Sequence, residues 1–91
     1  MEMTQPEILK TAFAVEKTFE PLEQIGLKAF DDENAEHFDA ACDETQRILT
    51  GCEKKFGRSE MMRCAALVQF YLIGRNYHIA SQAVGMLTEN K

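Results

Sequence analysis

The sequence contains no apolar segment long enough to cross a membrane. Its longest apolar stretch, residues 65–73 (AALVQFYLI), is about half of the ~20 residues that a membrane-spanning helix needs. The first residues, MEMTQPEILK, lack the basic start and the apolar run of a secretory signal. We therefore expect a soluble, cytoplasmic protein with no membrane partner.

The sequence also lacks the local motifs of common catalytic, metal and cofactor sites. It has no glycine-rich phosphate loop, no paired-cysteine zinc pattern and no His-Glu-x-x-His motif. The three cysteines, Cys42, Cys52 and Cys64, are an odd number, and each stands where a small buried side chain suits a helix. We expect reduced thiols, no metal, no cofactor and no enzymatic activity.

Positive charge is scarce as well. Ten Lys and Arg residues against fifteen Asp and Glu residues give a net charge of −5, which opposes direct binding to nucleic acid. A composition of 45% apolar and 27% charged residues is typical of a folded globular chain. At this length we predict a single helical domain over residues 1–91.

What is present is helical periodicity, in three long segments. The first, about residues 5–30, begins with a capping box formed by Thr4 and Glu7, and its apolar spacing passes through Pro21, which predicts a kink. The second, 33–56, carries an apolar stripe that stops before Gly57, a C-cap residue. The third, 59–88, begins at Ser59 as its N-cap. Short turns between long helices predict an all-α, up-down-up three-helix bundle.

The third segment is apolar on two opposite faces. The first face, predicted to meet the other helices, consists of Met61, Ala65, Val68, Leu72, Ile79, Ala83 and Met86. The second consists of Met62, Ala66, Phe70, Ile73, Tyr77, Val84 and Leu87. Two amphipathic helices cannot surround such a helix, so we predict that oligomerisation, most simply a homodimer, covers the second face. The predicted interface residues are Met62, Phe70, Ile73, Tyr77, Val84 and Leu87.

Two further features bear on this packing. Gly74, Ser81 and Gly85 form a strip of small residues along which another helix could approach closely. Alternatively, the first helix covers the second face itself, with Leu9, Phe13 and Leu27. The oligomer needs a partner chain to cover the second face. Coverage by the first helix would instead leave a monomer without a large apolar patch.

Polar chemistry in the third segment is concentrated at Arg75, Asn76, Tyr77 and His78. A buried arginine needs a carboxylate or an anionic ligand, because burial of an unpaired charge is prohibitive. In one interpretation Arg75 pairs with a glutamate of another helix; in a second, the four residues bind a nucleotide or phosphate between subunits. In a third, a helix ends at Gly74 and Asn76 caps a fourth helix, which places Arg75 in a turn.

Residues 31–44 contain seven acidic residues and no lysine or arginine. Glu36, Asp39 and Asp43 share the outer face of the second helix, where Arg47 is placed to pair with Asp43. This face is either simply solvated or a binding surface for a basic protein partner.

We predict a non-enzymatic regulatory or adaptor protein, such as an inhibitor or chaperone of a larger machine, that assembles through its third helix and binds a protein partner. The alternative is a small anionic-ligand binding module with an intersubunit pocket at Arg75, Asn76, Tyr77 and His78.

Overall fold

A computed structural model of the 91-residue chain describes residues 2–24, 35–74 and 78–89, with the side chains of residues 23, 24, 35, 78, 79 and 89 left aside. These ranges form four α-helices and no strand: α1 (Gln5–Gln24), α2 (Ala35–Phe56), α3 (Arg58–Gly74) and α4 (His78–Glu89). The all-α prediction is confirmed. Residues 25–30, predicted to end the first helix, and residues 33–34, predicted to begin the second, lie outside the described part.

The helices alternate in direction along the chain. Thr11 of α1 contacts Cys52 of α2, and further along, Thr18 contacts Thr45, so α1 and α2 are antiparallel. Gln69, near the end of α3, donates to the carbonyl of Ser81, near the start of α4, through a 3.0 Å hydrogen bond. Every pair of the four helices is in contact, which places one shared core between them.

The predicted three-helix bundle is wrong in one respect, because the third segment is two helices. α3 ends at Gly74 and α4 begins at His78, where a single helix over 59–88 was expected. The reversal brings Ala80, Ala83 and Val84 into the core, each with no exposed surface. Apolar spacing could not reveal this break, since Leu72 and the predicted Ile79 stay in phase across it.

The start of α1 has the predicted capping box. The backbone N–H of Thr4 donates to the Glu7 carboxylate at 2.9 Å, and the N–H of Glu7 donates to the Thr4 hydroxyl at 3.4 Å. Two amide donors that the helix leaves without a partner are satisfied in this way. The helix then continues through Pro21 to Gln24, as the apolar spacing indicated.

Gly57 joins α2 to α3 with a single residue. Its backbone has a φ of 96°, and its N–H donates to the carbonyl of Glu53 at 2.8 Å, which confirms the predicted C-cap. Its own carbonyl accepts from the N–H of Met61 at 3.0 Å. Gly57 is therefore also the residue that opens α3, and the prediction that Ser59 is the N-cap is wrong.

The core uses the predicted stripe of α2 and most of the predicted first face of the third segment, but Met86, expected on that face, is 44% exposed on α4. Val15, Val68, Leu72 and Val84 are fully buried at its centre. The α2 stripe lies against it, with four buried and four half-buried members: Phe38, Ala41, Thr45 and Leu49, then Cys42, Ile48, Cys52 and Phe56. Burial of side chains of this size contributes about 1.5–3 kcal/mol each relative to exposure.

The residues before α1 are tied to α3 at a distance in sequence. The side chain of Met3 is buried, its N–H donates to the Glu60 carboxylate at 2.8 Å, and its carbonyl accepts from Arg63 at 3.1 Å. Arg63 also donates to Glu60 at 2.9 Å. The two charged side chains thus hold both backbone groups of Met3, and this fixes the first turn of α1 against the first turn of α3.

Substitution by alanine should change the free energy of unfolding in opposite directions at Gly51 and at Gly57. Gly51 lies inside α2 with open space around its Cα, so Gly51→Ala should raise the free energy of unfolding by about 1 kcal/mol. Gly57→Ala should lower it by about 1 kcal/mol, because an L side chain is strained at a positive φ. Urea denaturation measures both; equal effects would contradict the turn geometry.

Glu60 and Glu44 provide a matched pair for testing the tie to Met3. Each carboxylate pairs with an arginine three residues later, and each has a pKa below its usual 4.5, chiefly because of that arginine hydrogen bond. Only Glu60 also accepts from the Met3 backbone. Glu60→Gln should therefore lower the urea midpoint at neutral pH more than Glu44→Gln does.

The pH dependence follows from the sign of the shift. A depressed folded-state pKa stabilises the fold above pH 4.5, and this contribution is lost as the pH falls through the folded value. The difference between wild type and Glu60→Gln should therefore shrink in acid. A difference that persists at a pH where the Glu60 carboxyl group is protonated would show that Glu60 acts through packing instead.

Candidate interaction surfaces

The outward half of α3 is apolar and exposed. No residue between Arg63 and Gly74 is charged. At 100° per residue, Met62, Ile73, Ala66, Phe70 and Leu67 follow one another around the side of the helix opposite its buried residues. Phe70 stands in the middle of this arc with 79% of its surface exposed, and Ile73 beside it is 50% exposed.

α1 extends this apolar arc across the helix boundary. The ring of Phe13 lies edge-on to the ring of Tyr71, with centroids 6.1 Å apart and an interplanar angle of 65°. Phe13 and, one turn earlier, Leu9 are exposed, whereas Tyr71 is half-buried beneath them. We use the term apolar surface for the six large exposed side chains of α1 and α3: Leu9, Phe13, Met62, Leu67, Phe70 and Ile73.

The predicted interface is therefore partly on this surface and partly not. Met62, Phe70 and Ile73 are exposed, as a docking face requires. Val84 is fully buried, because α4 folds back and turns this side chain into the core of its own chain. Leu87 is half-buried and lines a shallow groove with Leu49 and Met61. Tyr77 lies outside the described residues.

Leu67 belonged to neither predicted face of the third segment. Leu9 and Phe13 were expected to cover the second face only in the alternative interpretation. Unrolling α3 would have placed Leu67 beside Tyr71, which is the available sequence signal. What no single-helix pattern shows is the parallel packing of α1 on α3, which brings Phe13 to Tyr71. The alternative in which α1 covers the second face does not hold for Leu9 and Phe13, since both are exposed; Leu27 is outside the described part.

The strip of small residues packs within the chain. A Cβ on Gly85 would stand 2.5 Å from Nε2 of Gln69, the amide that donates to the Ser81 carbonyl. Ser81 is buried at the same contact. The closely approaching helix is therefore α3 of the same chain, whereas Gly74 has open space around its Cα.

The candidate anion site consists of Arg75, Asn76, Tyr77 and His78. Arg75, Asn76 and Tyr77 lie outside the described residues, and His78 is described only as the first residue of α4. Tyr71, four residues before Arg75 in the sequence, is half-buried against Phe13, and Gln82 is exposed on α4. The third interpretation is confirmed in that α3 ends at Gly74 and a fourth helix follows, whereas the cap at Asn76 lies outside the described residues. The ion-pair and ligand-binding interpretations of Arg75 stay predictions.

The acidic face of α2 is exposed at Glu36, Asp39 and Asp43, as predicted. The expected pair of Arg47 with Asp43 is wrong, because Arg47 instead makes a two-pronged contact with Glu44, three residues before it. Asp43 is thereby left to the solvent-facing acidic surface. Salt bridges at such exposed positions contribute little to stability.

The negative charges of Asp39 and Asp43 affect the protonation of the half-buried Cys42 thiol. Burial, followed by the negative charges of Asp39 and Asp43, raises the pKa of Cys42 to about 11. At neutral pH this thiol is protonated and a poor nucleophile or metal ligand. No cluster of three His, Cys, Asp or Glu side chains suited to a metal occurs in the described ranges.

Comparison of the chain with protein-family models, with curated proteins and with solved structures finds no match. Within residues 2–24, 35–74 and 78–89, none of the helices combines the length and apolar character needed to span a bilayer.

The acidic field at Cys42 can be measured through its reactivity. Asp39→Asn combined with Asp43→Asn should lower the pKa of Cys42 below about 11 but not to its usual 9.0, because burial persists. Alkylation of Cys42 by iodoacetamide near pH 9, followed by peptide mass spectrometry, should then be faster. Glu36→Gln is the control, since Glu36 is not among the causes of the shift. Unchanged alkylation in the double variant would assign the shift to burial alone.

Proposed function

We propose that this protein is a non-enzymatic regulatory or adaptor module that forms a homodimer through its apolar surface and binds a basic protein partner through the acidic face of α2. The observation that carries the proposal is Phe70, an aromatic side chain 79% exposed at the centre of that surface. Water around so large an apolar group is released only when another surface covers it.

The size and composition of the apolar surface suit a protein interface. Six large apolar side chains on two adjacent helices exceed the scattered exposure that is normal for a monomer. A standard interface buries roughly 800 Å² per partner, a modest share of the 5944 Å² that this chain exposes. Because the α3 part of the surface carries no charge beyond Arg63, docking requires little desolvation of charged groups.

A second copy of the chain is the proposed occupant. A twofold axis passing near Phe70 would bring each copy's phenyl ring onto the apolar arc of the other, so that one surface serves both partners. Exposed aromatic residues at the centre of such patches supply most of the binding free energy. The rim of the apolar surface includes Lys10 and Lys17 of α1, both exposed, and these side chains keep the surrounding surface polar.

The acidic face lies on a different helix from the apolar surface. Glu36, Asp39 and Asp43 are on the exposed side of α2, whereas the apolar surface is built from α1 and α3. A dimer would thus present two acidic faces, and their charge would accelerate encounter with a basic partner. An anion pocket at Arg75, Asn76, Tyr77 and His78 is the second candidate, and no described contact favours it.

The dimer is tested by Phe70→Glu. At micromolar concentration the wild-type protein should sediment at twice its 10.4 kDa chain mass, and Phe70→Glu should sediment as a single chain. The circular dichroism of the variant should be unchanged, because Phe70 contributes little to the core. The introduced charge would have to be buried unpaired in the dimer, which is the reason for the expected loss.

Met86→Glu is the matched control. Met86 is 44% exposed on α4 and lies outside the apolar surface, so this variant should remain dimeric. Reversal of Glu36, Asp39 and Asp43 to lysine should also leave the dimer intact. A wild-type protein that sediments as a monomer throughout the micromolar range would overturn the proposal.

A further inference from the structure

Two of the three cysteines meet between the helices. Cys52 is on the last turns of α2 and Cys64 on the second turn of α3, on either side of the Gly57 turn. The Thr11 hydroxyl of α1 is 3.8 Å from the Cys52 sulfur, and the Cys64 thiol lies close enough to both groups for each to affect its pKa. The two thiols are therefore neighbours around one shared hydroxyl.

The two thiols differ in access. Cys52 is half-buried, with part of its surface open to solvent, whereas Cys64 is 1% exposed and lies behind it in the core. Cys42 is separate from this pair, on the preceding turns of α2 beside Asp39 and Asp43. A partly exposed thiol beside a buried one is the arrangement of an attacking and a resolving cysteine.

We propose that Cys52 and Cys64 form a reversible intramolecular disulfide that crosslinks α2 to α3 when the protein meets a low-molecular-weight disulfide such as oxidised glutathione. Formation of the bond requires the two sulfurs to approach to about 2.0 Å. The junction permits this approach, because the two helices are joined by one glycine and both side chains are short.

The exchange balances in two steps. The Cys52 thiolate attacks one sulfur of oxidised glutathione, and a mixed disulfide forms as the first glutathione leaves as thiolate. The Cys64 thiolate then attacks the Cys52 sulfur of that mixed disulfide, and the second glutathione leaves. Two protein thiols are oxidised, one small disulfide is reduced to two thiols, and the two protons released by the cysteines are taken up by the departing thiolates.

Burial affects the speed of the second step. Desolvation is the largest cause that raises the pKa of Cys64 to about 11, so little thiolate is present at neutral pH. Proximity to Cys52 offsets this, because the second step is intramolecular and its effective concentration is high. Disulfide formation should therefore be slow at neutral pH and faster as the pH rises.

The test treats the wild-type protein with oxidised glutathione and maps its disulfides by peptide mass spectrometry. The expected product has lost two hydrogen atoms, links the Cys52 and Cys64 peptides, retains one free thiol at Cys42, and reverts with dithiothreitol. Its thermal midpoint should be higher than that of the reduced protein, because the crosslink restricts the unfolded chain.

Cysteine variants sharpen the result. Cys42→Ser should oxidise as the wild type does, whereas Cys52→Ser should show no internal crosslink. The mapping on wild-type protein decides the question even if a core variant misfolds. A stable glutathione adduct on Cys52, a crosslink involving Cys42, or three unreacted thiols after prolonged treatment would each overturn the proposal.

Discussion

A helix that is apolar on every side has to be covered on every side, and this requirement on α3 organises the molecule. Val68 and Leu72 are fully buried, so one side of α3 lies at the centre of the core. α1, α2 and α4 all pack against it. Three neighbours still leave its outward side open at Phe70, because the chain has no further described helix to place there. The core and the apolar surface are thus two consequences of one sequence property.

The parts of the fold that sequence reasoning predicted correctly are those with a local chemical signal. Thr4 and Glu7 can only cap each other if a helix begins between them, and Gly57 permits a positive φ that other residues resist. The stripe of α2 has polar residues opposite it, so its buried side was identifiable. In each case a few neighbouring residues contain the whole physical cause.

The parts that were predicted wrongly depend on contacts between distant segments. Whether a helix continues past Gly74 depends on how much apolar surface α4 buries by folding back, and the buried Val84 shows the outcome. Arg47 lies within reach of both Asp43 and Glu44, and helical spacing alone does not choose between them. The anchoring of Met3 by Glu60 and Arg63 joins residues almost sixty positions apart, which no periodicity encodes.

The separation of charge from apolar surface limits what assemblies this chain can make. An apolar surface confined to one side of α1 and α3 can be covered once, so a twofold dimer would close without leaving a second face for further copies. The acidic face of α2 is separate from the apolar surface, and the acidic faces of two dimers would repel each other. This repulsion discourages side-by-side stacking of such dimers. Hydrophobic contact would then hold the two copies together, while electrostatics would select what the pair meets. Because the two forces act on different helices, each can change by mutation without disturbing the other.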